Sequence, residues 1–107
     1  MIQFNENLEQ ALSKFPFNLQ DDDGMDAPVA VMYRNPHGRG VWLVTEAKRL
    51  KSGDWALFCF CHIFCWEWGD MKLSQLENIK DEIGLERVIF TERHPTVSEL
   101  VKKLRVD

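Results

Sequence analysis

Residues Trp55 to Trp68 read WALFCFCHIFCWEW, a run that holds three of the four tryptophans, all three cysteines and one of the three histidines of the chain. From Trp55 to Ile63 it is apolar on both sides of an extended backbone. Trp55, Leu57, Cys59, Cys61 and Ile63 fall on one face, and Ala56, Phe58 and Phe60 on the other. A strand without a polar face belongs inside a covered sheet. A membrane helix is excluded as an alternative, because the run contains His62 and Glu67 and is shorter than the roughly 20 apolar residues a bilayer requires. After a turn at Phe64, Cys65 to Met71 returns as the next strand, with Trp66 and Trp68 on one face and Glu67 on the other.

Upstream, PVAVMYRN (28–35) and VWLVTE (41–46) also alternate, joined by PHGRG (36–40). This is a hairpin signature in which Gly38 and Gly40 are expected to supply positive φ. KSGD (51–54) makes a second turn. A short helix is expected from Glu6 to Lys14, where Leu8, Ala11, Leu12 and Phe15 recur at helical spacing after the cap Asn5, and Pro16 ends it. The polar stretch FNLQDDDGMDAP (17–28) reads as a connection. Downstream, Ser74-Gln75-Leu76-Glu77 has the spacing of a capping box that opens a helix running to Ile83 and closed by Gly84. RVIFT (87–91) is a fifth strand. Thr96 to Glu99, after Pro95, is a second capping box opening a helix through Leu104. The expected order is αββββαβα: one α+β domain over residues 1–107, with a mostly antiparallel sheet of four to five strands and helices packed on it.

Composition bounds the function. The chain is 45% hydrophobic and 28% charged, an ordinary globular balance, and its 107 residues suffice for one core that buries about two thirds of the unfolded surface. Its 13 Lys and Arg are scattered among 17 Asp and Glu, giving a net charge of −4. Duplex binding through several phosphates would require a basic stripe, so nucleic acid is disfavoured as a partner. An acidic decoy for a nucleic-acid-binding protein is a further reading that this weak field does not favour. The amino-terminal MIQFNENLEQ is too polar for a signal peptide core. An odd number of cysteines within seven positions suits reduced thiols, and a cytoplasmic location is expected.

The cysteine segment is the strongest candidate for chemistry. A structural zinc site needs four converging ligands, usually from Cys-x-x-Cys turns, and here the pattern is Cys-x-Cys-His-x-x-Cys. On an extended strand Cys59 and Cys61 point one way and His62 the other, with Cys65 brought round by the turn. A thiol- or zinc-dependent enzyme or sensor built on Cys59, Cys61, His62 and Cys65 therefore stands as the alternative reading, and buried apolar thiols as the leading one. No cofactor is expected. Asp21, Asp22 and Asp23 lack the alternating spacing and closing Glu of a calcium loop. No two of the scattered carboxylates pair locally for acid and base work. Tryptophan is enriched at the centres of protein interfaces, and four indoles are many for so short a chain.

The motifs APVAVMYRNPHGRGVWLVTE, LF shortly after GD, WEWGDMKLSQLENI, GLERVIFT and TVSEL together resemble a family of small proteins of bacterial plasmids, integrative elements and phages, known only as a domain of unknown function. The resemblance spans Leu8 to Leu100. It implies no activity, but it singles out Trp42, Thr45, Glu46, Glu67, Gly69, Glu86 and Arg87, and the cysteines lie outside it. The expectation is a non-catalytic accessory protein that binds a host or element-encoded protein through Trp42, Glu46, Trp66, Glu67, Trp68 and Arg87. No membrane partner is expected, and a homodimer stays open.

Overall fold

A computed structural model of the protein describes residues 3–17 and 23–104. Its element order is the expected αββββαβα: α1 (Glu6–Ser13), β1 (Val31–Arg34), β2 (Val41–Arg49), β3 (Trp55–His62), β4 (Trp66–Lys72), α2 (Leu73–Ile83), β5 (Glu86–Ile89) and α3 (Val97–Leu104). A single 3₁₀ turn, Gly24–Asp26, follows the first loop. Of the three adjacent aspartates, Asp21 and Asp22 lie outside the described residues.

The sheet order is β4-β3-β2-β1-β5, and every neighbouring pair is antiparallel. The first four strands form a meander. The chain then crosses one face of the sheet through α2 and adds β5 beside β1, at the far edge. Each local signal has a visible cause. Asn5 Oδ1 accepts from the amides of Asn7 and Leu8 at 2.8 and 3.2 Å and starts α1. Gly84 closes α2 in the left-handed region at φ 75°. The capping box of α3 forms, with the Glu99 amide donating to Thr96 Oγ1 at 3.1 Å.

In the β1–β2 turn the structure corrects one glycine. Gly40 has φ 128°, but Gly38 has no positive φ. Asn35 organises this turn instead: its amide donates to the Gly40 carbonyl, and its side chain bonds Arg39 and His37. A side chain at Gly40 would also meet the Trp42 ring at 3.1 Å.

Helices α1 and α2 cover one face of the sheet, packing Leu8, Leu12, Leu73 and Leu76 against Val31, Tyr33, Trp42, Val44, Leu57 and Cys59. Of the described helices only α3 lies on the other face, where Val97 and Leu100 seat on Val41, Leu43 and Phe60 together with Ala27 and Val29 of the preceding segment. An eight-residue helix is about 12 Å long and cannot span five strands. Phe58 and Trp68 belong to neither core cluster. The α3 face is therefore roofed over its centre and open toward β4.

A bulge at Thr45 shapes β2. Val44 pairs Cys59 and Glu46 pairs Phe58, so Thr45 is the extra residue. A regular strand would place Glu46 on the same face as Trp42 and Val44. The bulge moves Glu46 to the α3 face beside Phe58 and returns Ala47 to the core under α1.

Candidate binding surface

Register alone puts Phe58, Phe60, His62, Trp66, Trp68 and Asp70 on the α3 face of the β3–β4 hairpin, because Phe58 pairs Asp70, Phe60 pairs Trp68 and His62 pairs Trp66. The rings interleave across the two strands. Phe58 and Trp68 stack at 5.2 Å with planes 5° apart, and Phe60 stacks on Trp66 at 5.0 Å. Trp68 leans on Phe60 at 4.8 Å, and His62 meets Trp66 edge-on at 5.2 Å. Cross-strand aromatic pairs of this kind stabilise a sheet beyond their area burial, by roughly 0.5–1.5 kcal/mol each. The ladder runs from the α3 core, which Trp66 touches, out to Trp68, which remains 38% exposed.

The hairpin tip beside it is also apolar. Phe64 is 83% and Ile63 45% exposed, so three of the six exposed large hydrophobic side chains among the described residues sit on one hairpin. Clusters of this sort mark contact sites, whereas single exposed apolar residues need no explanation.

The six residues expected to form a binding face take different positions. Trp66 and Trp68 share the aromatic ladder. Glu46 lies on the same face but is buried. Glu67 projects from the opposite face of β4, across from Cys61. Trp42 is buried under α1 and α2. Arg87 sits on β5, at the other end of the sheet from β4.

Arg87 has a partner that explains it. Its Nη1 donates to both oxygens of Glu77, at 2.8 and 3.0 Å, and the fully buried Tyr33 hydroxyl donates to Glu77 Oε2 at 2.6 Å. Burial, followed by the neighbouring Glu77 carboxylate, pushes the Tyr33 hydroxyl far above its ordinary pKa. The Glu77 carboxylate and the adjacent phenol hold the Arg87 guanidinium in its charged form, outweighing desolvation that acts the other way. This cluster ties α2 to β1 and β5 beneath an open cleft of about 490 Å³ lined by Phe4, Asn5, Asn78 and Asp81.

Glu77 is thus not the capping residue that its spacing suggested. Helix α2 starts two residues earlier, at Leu73 with Lys72 as its cap, where the Lys72 amide donates to Gln75 Oε1 at 3.0 Å. The rest of the cap comes from Asp54, in the β2–β3 turn. Asp54 Oδ1 accepts from the amides of Ser74 at 3.1 Å and Trp55 at 2.8 Å, and Oδ2 accepts from the Ser74 hydroxyl. Burial would raise the Asp54 pKa, but these bonds outweigh it and hold the carboxyl below its usual range.

The thiols do not converge with the histidine. Cys59 is buried on the α1–α2 face, and burial pushes its pKa far up. Cys61 lies two residues on along that face, its pKa raised by partial burial and then by Glu67 and Cys65. His62 points to the opposite face, and Cys65 is exposed in the turn. Among the described residues no three His, Cys, Asp or Glu side chains gather as a metal site. Two thiols with raised pKa are poor nucleophiles.

The fold and this surface define a small α+β domain, an antiparallel five-stranded sheet sealed on one face and carrying an open aromatic hairpin on the other. The chain belongs to the family described as protein of unknown function DUF2958, whose model matches residues 4–105. No curated protein and no solved structure matches the chain.

Proposed function

We propose that this protein is a non-catalytic accessory protein of a mobile genetic element, acting in the cytoplasm by binding a host or element-encoded protein through the β3–β4 hairpin. The observation that carries this reading is the gathering of Ile63, Phe64 and Trp68 at one exposed edge, continuous with the stacked rings of Phe58, Phe60 and Trp66. The binding face narrows to Trp66 and Trp68 with Phe58 and Phe64, and Arg87 serves the fold. The mobile-element setting rests on the resemblance of the motifs around Trp42, Glu67 and Arg87. The pKa directions of Cys59 and Cys61 weigh against the thiol-enzyme alternative.

The test is affinity capture from a bacterial lysate with immobilised wild type and with Phe64→Ser/Trp68→Ser, both checked for native far-UV circular dichroism and a cooperative melt well above the capture temperature, since loss of the Trp68 stacking lowers the midpoint. A protein retained saturably by the wild type and lost by the variant supports the reading. Equal retention by both, or no saturable partner, overturns it.

A further inference from the structure

Strand β4 is an edge of the sheet, seven residues long, paired to β3 without a bulge and free of proline. Proteins ordinarily blunt such edges, because their unpaired backbone groups template another strand; β4 carries charges at Glu67, Asp70 and Lys72 but neither a proline nor a bulge. The opposite edge is shorter, with the four residues of β5, and its Glu86 is tied to Arg34 at 3.8 Å. The apolar exposure is also unequal. Trp68, Phe64 and Ile63 all lie on or beside β4, and Trp68, with one ring face against Phe58, keeps 38% of its surface exposed on this edge strand.

A twofold axis normal to the sheet pairs β4 with its own copy antiparallel, and keeps like faces together only in alternate registers. Those centred on Glu67 or Asp70 set identical carboxylates opposite each other and are disfavoured. A register centred on Gly69 leaves Trp68 facing Asp70 of the copy. The register centred on Trp68 sets the two indoles side by side, and the row across the axis becomes Phe60, Trp68, Trp68, Phe60, flanked diagonally by Phe58. It also sets Asp70 opposite Trp66, and Glu67 opposite Gly69, where an added side chain would meet nothing.

We propose that two copies of this chain associate along β4 in the register centred on Trp68, making one continuous sheet with a shared aromatic face. The inference rests on the reading of the hairpin as a recognition surface, and names a second copy as one occupant of its edge.

Analytical ultracentrifugation of the full chain from about 1 to 500 µM, a range that brackets weak and standard interfaces, is expected to show a monomer–dimer equilibrium. Trp68→Glu, which faces two carboxylates across the axis, is expected to abolish the dimer while leaving far-UV circular dichroism unchanged. Trp68→Cys in a Cys65→Ser background is expected to form an interchain disulfide under mild oxidation, since directly opposed strand residues lie at bridgeable Cα distances of roughly 4.5–5.5 Å. Glu67→Cys in that background is expected not to, with Cys61→Ser added because Cys61 is its direct partner on β3 and would take the new thiol within the chain. A wild type that stays monomeric throughout overturns the proposal, as does a dimer that survives Trp68→Glu or cross-links through Glu67→Cys instead. A monomeric wild type that still captures a lysate partner refutes self-pairing alone, and a Trp68-dependent dimer that captures nothing refutes only the heterologous partner.

Discussion

Tyr33 is the only tyrosine of the chain, so its ionisation can be read in isolation as tyrosinate absorbance at 295 nm. Its hydroxyl is fully buried and donates to a carboxylate, so the folded protein holds it protonated well above the unfolded value of about 10. The thiol of Cys59 behaves alike against an unfolded value of about 8.5. A folded pKa above the unfolded one contributes stability that is complete below the unfolded pKa and is lost as pH rises beyond it. Each such group costs about 1.4 kcal/mol per pH unit, so Cys59 and Tyr33 by themselves give a slope of about 1.4 above pH 8.5 and about 2.8 above pH 10, to which the half-exposed Cys61 adds a smaller part. By pH 11 the two together remove about 5 kcal/mol, comparable with the whole stability of a small domain. Absorbance at 295 nm is therefore expected to stay flat to about pH 11 and then to rise in one step with the loss of far-UV circular dichroism. Tyr33→Phe should halve the slope above pH 10, and at neutral pH should cost about 1.5–2 kcal/mol for the lost bond to a charged acceptor. A tyrosinate signal with a midpoint near 10 in a protein that is still folded would refute the burial of Tyr33 against Glu77.

The three cysteines should separate by accessibility, with Cys65 alkylated within minutes under native conditions, Cys61 more slowly, and Cys59 only on unfolding, as followed by mass spectrometry of modified peptides. Fast labelling of Cys59 in the native state would contradict its place under α1 and α2. Asp54→Ala should cost about 2 kcal/mol in urea denaturation, because it strips the start of α2 of its long-range cap. Because the Asp54 carboxyl is held below its unfolded value of about 3.9, its contribution is present above that pH and lost as pH falls below it, so Asp54→Asn should flatten the acid limb of the stability profile.

What could be read from the chain was whatever depends on local period and turn chemistry. Alternation placed Trp66 and Trp68 on one side of β4 and Glu67 on the other, as observed. Asn5, Pro16, Gly84 and Thr96 marked helix ends through groups within a few positions of themselves. The strand order was not legible, because the return of β5 to β1 depends on α2 crossing the sheet. The bulge at Thr45 was hidden for a related reason: VWLVTE reads as regular alternation, and only the pairing with β3 shows that Glu46 changes face. Glu77 is the instructive failure. Its spacing from Ser74 fits a capping box, but Tyr33 and Arg87, 44 and 10 residues away, supply stronger partners. Asp54 then takes over the capping from 20 residues upstream. Phe64 left one signal unread, a large aromatic at a hairpin tip where turn chemistry favours small polar residues.

The Glu77–Arg87 pair also gives meaning to the motifs that drew attention to this chain. LSQLE and GLER are separate in sequence and meet in space, where the carboxylate of one closes on the guanidinium of the other over a buried phenol. Recognition motifs would be expected at an open surface, and this pair instead pins α2 across the sheet between its two edges. The hairpin stands outside that arrangement, with its ladder on the face that α2 does not touch. Substitutions at Phe64 and Trp68 can therefore change what the edge binds without loosening the core. Substitutions at Glu77 or Arg87 strain the fold while leaving the aromatic edge chemically intact. A binding defect that follows Phe64 and Trp68 in proteins that remain fully folded, and is absent in a folded Arg87→Lys protein, is the pattern this division of labour requires.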